Sequence, residues 1–255
     1  MILATHGFLA SSIGQFDADY QAILDYATTQ GYTLPSVGQQ TLQNQLVVDL
    51  KAAGIWSKLD TFAVFATDGN SDFALIDWIR LSQYTAVNSP TFTTNGGFTG
   101  NGTSSYVNTN FDPTISGVNY TLNDAGRFFW VDNRGKTNHW EGVDLNTSVN
   151  HSRNGNVNNL NINSGSSSLT SPVNMAVDEF HAINRDSSTN LEIFTNTTQY
   201  TRSQTSTAIQ AMEQTILKSG SQYNDSRFRF YGMGGSLVSE NNDFYNAVNT
   251  YLTSL

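Results

Sequence analysis

The chain has 255 residues, enough to bury a full core, and only 13% of them are charged, half of the ~25% usual in globular proteins. Its 12 Lys and Arg against 21 Asp and Glu leave a net charge of −9 with no basic run, so nothing neutralises successive phosphates and nucleic acid is excluded as a partner. The absence of cysteine removes disulfides, zinc–thiolate sites and thiol nucleophiles together.

Residues 1–13 are mildly apolar but lack a basic leading region, and His6 and Gly7 interrupt them. They read as neither signal peptide nor membrane span, so synthesis in a cytoplasm and no membrane partner are expected. Phe16, Tyr20, Ile23, Leu24 and Ala27 then fall on one helical face, with Gly31 placed as a C-terminal cap. Ser36 and Gln39 have capping-box spacing, Leu42, Leu46, Leu50 and Ala53 form the next apolar stripe, and Gly54 ends it. Helices this short are marginal alone. The apolar run 61–66, a buried-type strand, is their expected partner.

Phe73, Ile76 and Ile79 predict a short helix or an irregular packed segment, and Trp56 and Trp78 suit core wedges better than ligand platforms. A polar crossing around Pro90 sets a border, giving an attachment part over 1–88 and a β domain over 89–255. Within the second part, strands are expected over 106–109, 118–122, 127–132, 139–145, 149–153, 157–162, 180–185, 191–195 and 227–231. Residues 186–190 (Asp-Ser-Ser-Thr-Asn) form a hairpin turn, because Asp, Ser and Asn satisfy turn backbone with their own side chains. Ile209, Met212 and Ile216 fit either a helix or a strand entry. A final helix has Ser239 as its cap and Phe244, Val248, Tyr251 and Leu252 as its apolar face.

Two motifs bracket the β region. The first runs Gly96-Gly97-Phe98-Thr99-Gly100-Asn101-Gly102-Thr103-Ser104-Ser105-Tyr106-Val107, and the second Arg229-Phe230-Tyr231-Gly232-Met233-Gly234-Gly235-Ser236-Leu237. They resemble the opening and closing strands of concanavalin-A-like (laminin-G-like) domains. The whole chain is similar to structural proteins of bacteriophages. The resemblance implies a mainly β fold, a concanavalin-A-like antiparallel β-sandwich (jelly roll) with a small helical N-terminal part and a C-terminal helix. It also implies a virion component that contacts other virion proteins, as a homo-oligomer or on a capsid or tail protein, and reads host glycans.

Catalytic signatures are missing from the sequence. Glu141 and Asp144 are the nearest approach to the paired acids of sandwich glycosidases, but their spacing puts the carboxylates on opposite faces of a strand. His6, His139, His151 and His181 lack metal-ligand spacing, and no nucleophile elbow or phosphate loop occurs. A non-enzyme is expected. For sugar binding, Asp132, Arg134, Asn138 and Trp140 combine hydrogen-bonding groups with an aromatic ring. Trp140 fits a stacking platform and a core plug equally well. Calcium, the metal this fold class takes most often, has oxygen donors in Asp186 and Asn190, which turn chemistry explains as readily.

Overall fold

The computed structural model describes residues 16–132, 139–142, 150–154, 157–159, 161–164 and 179–255. Helix α1 (Ala18–Gln30) starts where the Asp17 carboxylate accepts the Asp19 amide at 2.9 Å. It stops at Gly31, whose φ of 76° a residue without Cβ adopts freely. Helix α2 (Val37–Ala52) is capped by the Ser36 hydroxyl, which accepts the Gln39 amide at 3.4 Å. The expected reciprocal bond of a capping box does not form. The Gln39 side chain turns inward instead, donating to Asn95 Oδ1 and accepting from Thr67 Oγ1 at 2.7 Å each.

Short helices α3 (Ser71–Ala74) and α4 (Pro113–Ser116) lie in the connections, and α5 (Asn241–Thr253) closes the chain. Glu240, not Ser239, occupies the N-cap of α5, and its carboxylate takes the Lys58 ammonium at 2.7 Å rather than a helix amide. Among the described residues no helix is long and apolar enough to cross a membrane.

Eight strands form the larger sheet, in the order Thr198–Ser203, Asn190–Thr195, Glu179–Arg185, Ala125–Asp132, Arg227–Gly234, Gly97–Thr99 and Thr91–Thr93, with Leu59–Val64 also paired to Arg227–Gly234. The last strand is therefore the keystone. One edge of it runs along Ala125–Asp132, while the other is divided between Gly97–Thr99 at one end and Leu59–Val64 at the other. The smaller sheet orders Val157–Asn159, Asn150–Asn154, His139–Gly142, Thr215–Ile216, Tyr106–Asn108 and Thr85–Val87. The chain is thus mainly β, antiparallel, with a C-terminal helix, as the sequence implied.

Alternation along the strands sends side chains to two separate cores. Phe129, Val131, Ile183, Ile193, Phe228, Tyr231 and Met233 face the smaller sheet and meet its Val107 and Ile216. Phe62, Val64, Phe128, Phe180, Phe194 and Phe230 face the other way, against α1, α2 and α5. Phe244 of α5 is the hub of that second core, with ring centroids 5.2 Å from Phe128, 5.5 Å from Phe180, 5.8 Å from Phe230 and 6.1 Å from Phe62. The helices cover a sheet face that the sandwich core leaves bare. Trp78 is buried among them, 5.8 Å from Phe62 and 6.0 Å from Tyr20, a core wedge as expected.

Other local expectations fare differently. Residues 118–122 form no strand, because the buried Asp60 carboxylate takes the amides of Val118 (3.1 Å), Asn119 (2.9 Å) and Tyr120 (2.7 Å) that a ladder would need. Residues 205–217 hold no helix, and only Thr215–Ile216 is a strand there. Edge strand Thr198–Ser203 was not foreseen: most of its residues are exposed, which hides the alternation.

Gly234, like Gly97, marks a very tight approach in the sheet, since a Cβ there would sit 2.0 Å from the Lys58 carbonyl oxygen. Gly234→Ala is expected to cost about 3 kcal/mol or more in urea denaturation, in the range of overpacked sites. Gly38→Ala, on α2 with nothing within 4 Å of the new methyl, is expected to gain about 0.5–1 kcal/mol from helix propensity.

Candidate functional site

Asp132 ends the strand Ala125–Asp132, opposite Arg227 on the neighbouring strand. Its carboxylate receives that guanidinium in a two-pronged pair, Nε at 2.5 Å and Nη2 at 2.9 Å, with Arg229 Nε a further 3.7 Å away. Arg229 also donates to the Asn95 carbonyl at 3.2 Å and the Leu252 carbonyl at 3.5 Å, joining the sheet to the end of α5. Burial holds its pKa below the usual arginine value, and Arg227 adds to that while Asp132 opposes it. Both oxygens of Asp132 are thus held in a structural ion pair. Trp140 lies in the strand His139–Gly142, which pairs with Asn150–Asn154 and Thr215–Ile216. Arg134 and Asn138 fall outside the described residues.

Asp186 and Asn190 bound the hairpin between Glu179–Arg185 and Asn190–Thr195. The Asn190 amide donates to Ser187 Oγ at 3.1 Å, so this end of the turn is closed by its own side chains. Asp186 is exposed. Among the described residues no three His, Asp or Glu side chains gather in a way that suits a metal ion.

Asp186 instead stands at the lip of an open depression of ≈ 350 Å³, lined also by Asp124, Ser236, Val238 and Ser239. Its floor is the turn Gly234-Gly235-Ser236-Leu237, the second motif singled out in the sequence. Three successive amides of that turn are individually held. Gly235 N donates to the Lys58 carbonyl at 2.9 Å, Ser236 N to Asp124 Oδ1 at 2.6 Å, and Leu237 N to Asn184 Oδ1 at 2.8 Å. Leu237 is fully buried in the helical core, which locks the turn from beneath. Asn184 is itself fully buried, and its Nδ2 has no partner among the described residues.

The depression therefore offers the carboxylates of Asp124 and Asp186 as acceptors, the first already holding the Ser236 amide, the exposed Ser239 hydroxyl and one half-buried apolar side chain, while the Ser236 Oγ itself is buried. That inventory suits the adjacent hydroxyls of a saccharide. Sequence reasoning named Asp186 only as a calcium donor, and named neither Asp124, Ser236 nor Ser239 as a site residue. The Gly-Gly-Ser-Leu motif was the available signal, although it says nothing of which side chains converge on it.

No protein-family model matches the chain, and no curated protein matches it. Solved structures do. A binding domain of botulinum neurotoxin DC in complex with SialylT aligns with a TM-score of 0.52 at 13% identity, over 76% of this chain and 52% of that one. The structure described under cell entry of botulinum neurotoxin type C, dependent upon interaction with two ganglioside molecules, aligns with a TM-score of 0.54 at 13% identity, over 77% of this chain and 53% of that one. A binding domain of botulinum neurotoxin DC in complex with rat synaptotagmin II gives 0.52 at 11% identity, over 77% and 52%. This chain spans about half the length of those structures. At such identities the likeness establishes the fold, a β-sandwich of the kind found in receptor-binding domains.

Removing the Asp124 carboxylate should free the Ser236 amide. Asp124→Ala is expected to cost about 1.5–3 kcal/mol in urea denaturation, the scale of a hydrogen bond to a charged group. Asp186→Ala, at an exposed position, is expected to stay within about 0.5 kcal/mol.

Proposed function

We propose that this chain is a non-enzymatic recognition protein that binds surface glycans. The observation that carries this reading is the rigid depression bearing Asp124, Asp186, Ser236 and Ser239, set on a sandwich shared with receptor-binding domains. Among those neighbours, one is a complex with SialylT and another is described with two ganglioside molecules, which supports a saccharide as the ligand class. Two of them are described as binding domains, which favours recognition over catalysis.

The setting we propose is a bacteriophage particle, with the chain as a decoration, spike or fibre component made in the host cytoplasm. The similarity of the whole sequence to phage structural proteins, with its concanavalin-A-like motifs, motivates this finer reading. Residues 1–88 attach the chain to other virion proteins, or to further copies of itself, while residues 89–255 face the host. Val37 and Val48 on α2 stay 75% and 37% exposed, and a groove of ≈ 390 Å³ between α2 and α5 carries Ala52, Ala53 and Ala247 with Asp49 and Asp243 beside them. Surfaces of this kind mark protein contacts.

A glycan array tests the recognition step. Wild type is expected to bind a subset of host polysaccharides, and the double variant Asp186→Ala/Ser239→Ala to lose at least about tenfold in affinity, the loss of one charge-assisted hydrogen bond. Trp140→Ala reports on the alternative location. Binding abolished there and untouched in the double variant would move the site to the strand His139–Gly142. Mass spectrometry of purified particles tests the setting, with the chain expected among virion proteins and its copy number expected to fall when residues 1–13 are deleted.

A further inference from the structure

Edge strand Thr198–Ser203 carries Tyr200 and Arg202 on the side that faces the smaller sheet. Their cross-strand partners, Ile193 and Leu191, are fully buried in the sandwich core, so Arg202 lies over hydrocarbon. Arg202 is only 8% exposed, and its Nε, Nη1 and Nη2 have no hydrogen-bond partner among the described residues. A guanidinium cannot shed its proton at physiological pH to escape such a site, and an unpaired buried charge is among the costliest features a fold can hold. Burial alone pushes its pKa down to about 10, which still leaves it charged.

Arg185, on the same face of the sheet, shows what a structural arginine looks like in this interior. It is fully buried, yet it donates to the Ile162 carbonyl at 2.9 Å, the Gln204 carbonyl at 2.8 Å and Gln204 Oε1 at 3.2 Å. Gln204 in turn donates to Asn161 Oδ1 at 2.5 Å. Among the described residues one guanidinium is satisfied, while the other, two residues before Gln204, has no partner for any of its nitrogens.

We propose that Arg202 is the receptor for a compact oxyanion, a carboxylate or sulfate, that enters past the free edge of the strand Thr198–Ser203. The fork of N–H donors matches the two oxygens of such a group, and the apolar surroundings strengthen the pairing because water does not compete. Tyr200, half-buried two residues away on the same face, supplies a ring against which the carrier of the anion can lie. A net charge of −9 repels anions at long range, so the selectivity must come from this local pairing rather than from steering. Arg202 is not among the residues lining the depression at Asp124 and Asp186. That the anion is carried by a sugar rests on the glycan reading; that Arg202 holds an oxyanion does not.

Thermal unfolding of the full chain tests this, in sodium sulfate, sodium glucuronate, glucose, and sodium chloride at matched ionic strength. Sulfate or glucuronate is expected to raise the wild-type Tm above that in chloride by more than it raises that of Arg202→Met, whose response reports the general stabilisation by excluded salts. In chloride alone Arg202→Met should melt about 2–4 °C above wild type, because replacing an unpaired buried charge by an apolar side chain removes its desolvation cost. Calorimetric affinity for the effective anion should fall about 10–100-fold in the variant. Should the variant fail to fold, Arg202→Lys and the native protein decide. Sulfate titration should shift one arginine Nε–H resonance in wild type, and that signal should be absent in the lysine variant. A larger effect of glucuronate than of sulfate identifies a sugar-borne carboxylate, and the reverse identifies sulfate; both support the site. Anion selectivity with a blank glycan array keeps the oxyanion site and removes the glycan reading. If neither anion outperforms chloride, or if Arg202→Met responds as wild type does, the proposal is overturned.

Discussion

The strand Arg227–Gly234 is buried on both faces, and everything else is arranged around keeping its register. A one-residue slip in such a strand exchanges every side chain between two different cores. Phe228 faces the smaller sheet, and strict alternation would send Phe230 the same way. The register shift between these two residues, against Ala125–Asp132, reverses the parity, so Phe230 joins the helical core while Tyr231 and Met233 return to the sandwich core. Arg229 sits at that irregularity, and its carbonyl accepts both the Phe65 and Ala66 amides at 2.9 Å. The bulge is thus tied to the strand Leu59–Val64 at the point where that strand ends.

With both sheet faces apolar, several of the few charges of this sequence are buried and serve the fold from inside, Asp60 and Asp77 among them. Asp77 is fully buried and accepts from Thr61 Oγ1 at 2.5 Å, Phe62 N at 3.2 Å, Ile79 N at 3.0 Å and Arg80 Nε at 2.6 Å. Asp60 does the same for residues 118–120 from the adjoining strand. A buried carboxylate with this many donors is compensated for its lost hydration, and it fixes loops that lack regular hydrogen bonds of their own. Uncharged groups serve similarly. Gln43 accepts from the Tyr20 hydroxyl at 2.8 Å and donates to Thr67 and the Tyr251 hydroxyl at 3.1 Å, linking α1, α2 and α5 across one buried side chain.

This division explains which features could be read from the sequence. Helical stripes, the Gly31 and Gly54 stops and the strands around Phe129, Ile183 and Ile193 were legible, because local periodicity and backbone chemistry decide them. Residues 118–122 were misread because their fate depends on a carboxylate 58 residues or more away in the chain. The capping role of Ser239 failed for a similar reason, since Lys58 draws Glu240 into the N-cap position. For the candidate site, Asp132 had the right chemistry for a ligand but the wrong neighbours: pairing with Arg227 is a cross-strand relation that no local pattern reveals. Asp124 and Ser236 stayed hidden for the same reason, being 112 residues apart in the chain.

The helical layer constrains how residues 1–88 can act. Read alone, the stripes of α1 and α2 called for a partner, and the apolar run 61–66 was the expected one. Tyr20, Ile23, Leu24, Leu46, Val47 and Leu50 are in fact consumed by the sheet and by α5. Stripping them away to dock elsewhere would expose Phe62, Phe128, Phe180 and Phe230 together, and each fully buried aromatic side chain is worth about 1.5–3 kcal/mol relative to exposure. The sum approaches the entire stability of an ordinary domain. The outward side of α2, where Val37 and Val48 lie, and the groove beside α5 are surfaces that could be covered with the sheet left intact. On α2 the exposed Val37 and Val48 and the buried Leu46, Val47 and Leu50 lie on different sides, so a contact made through the first set would leave the second undisturbed.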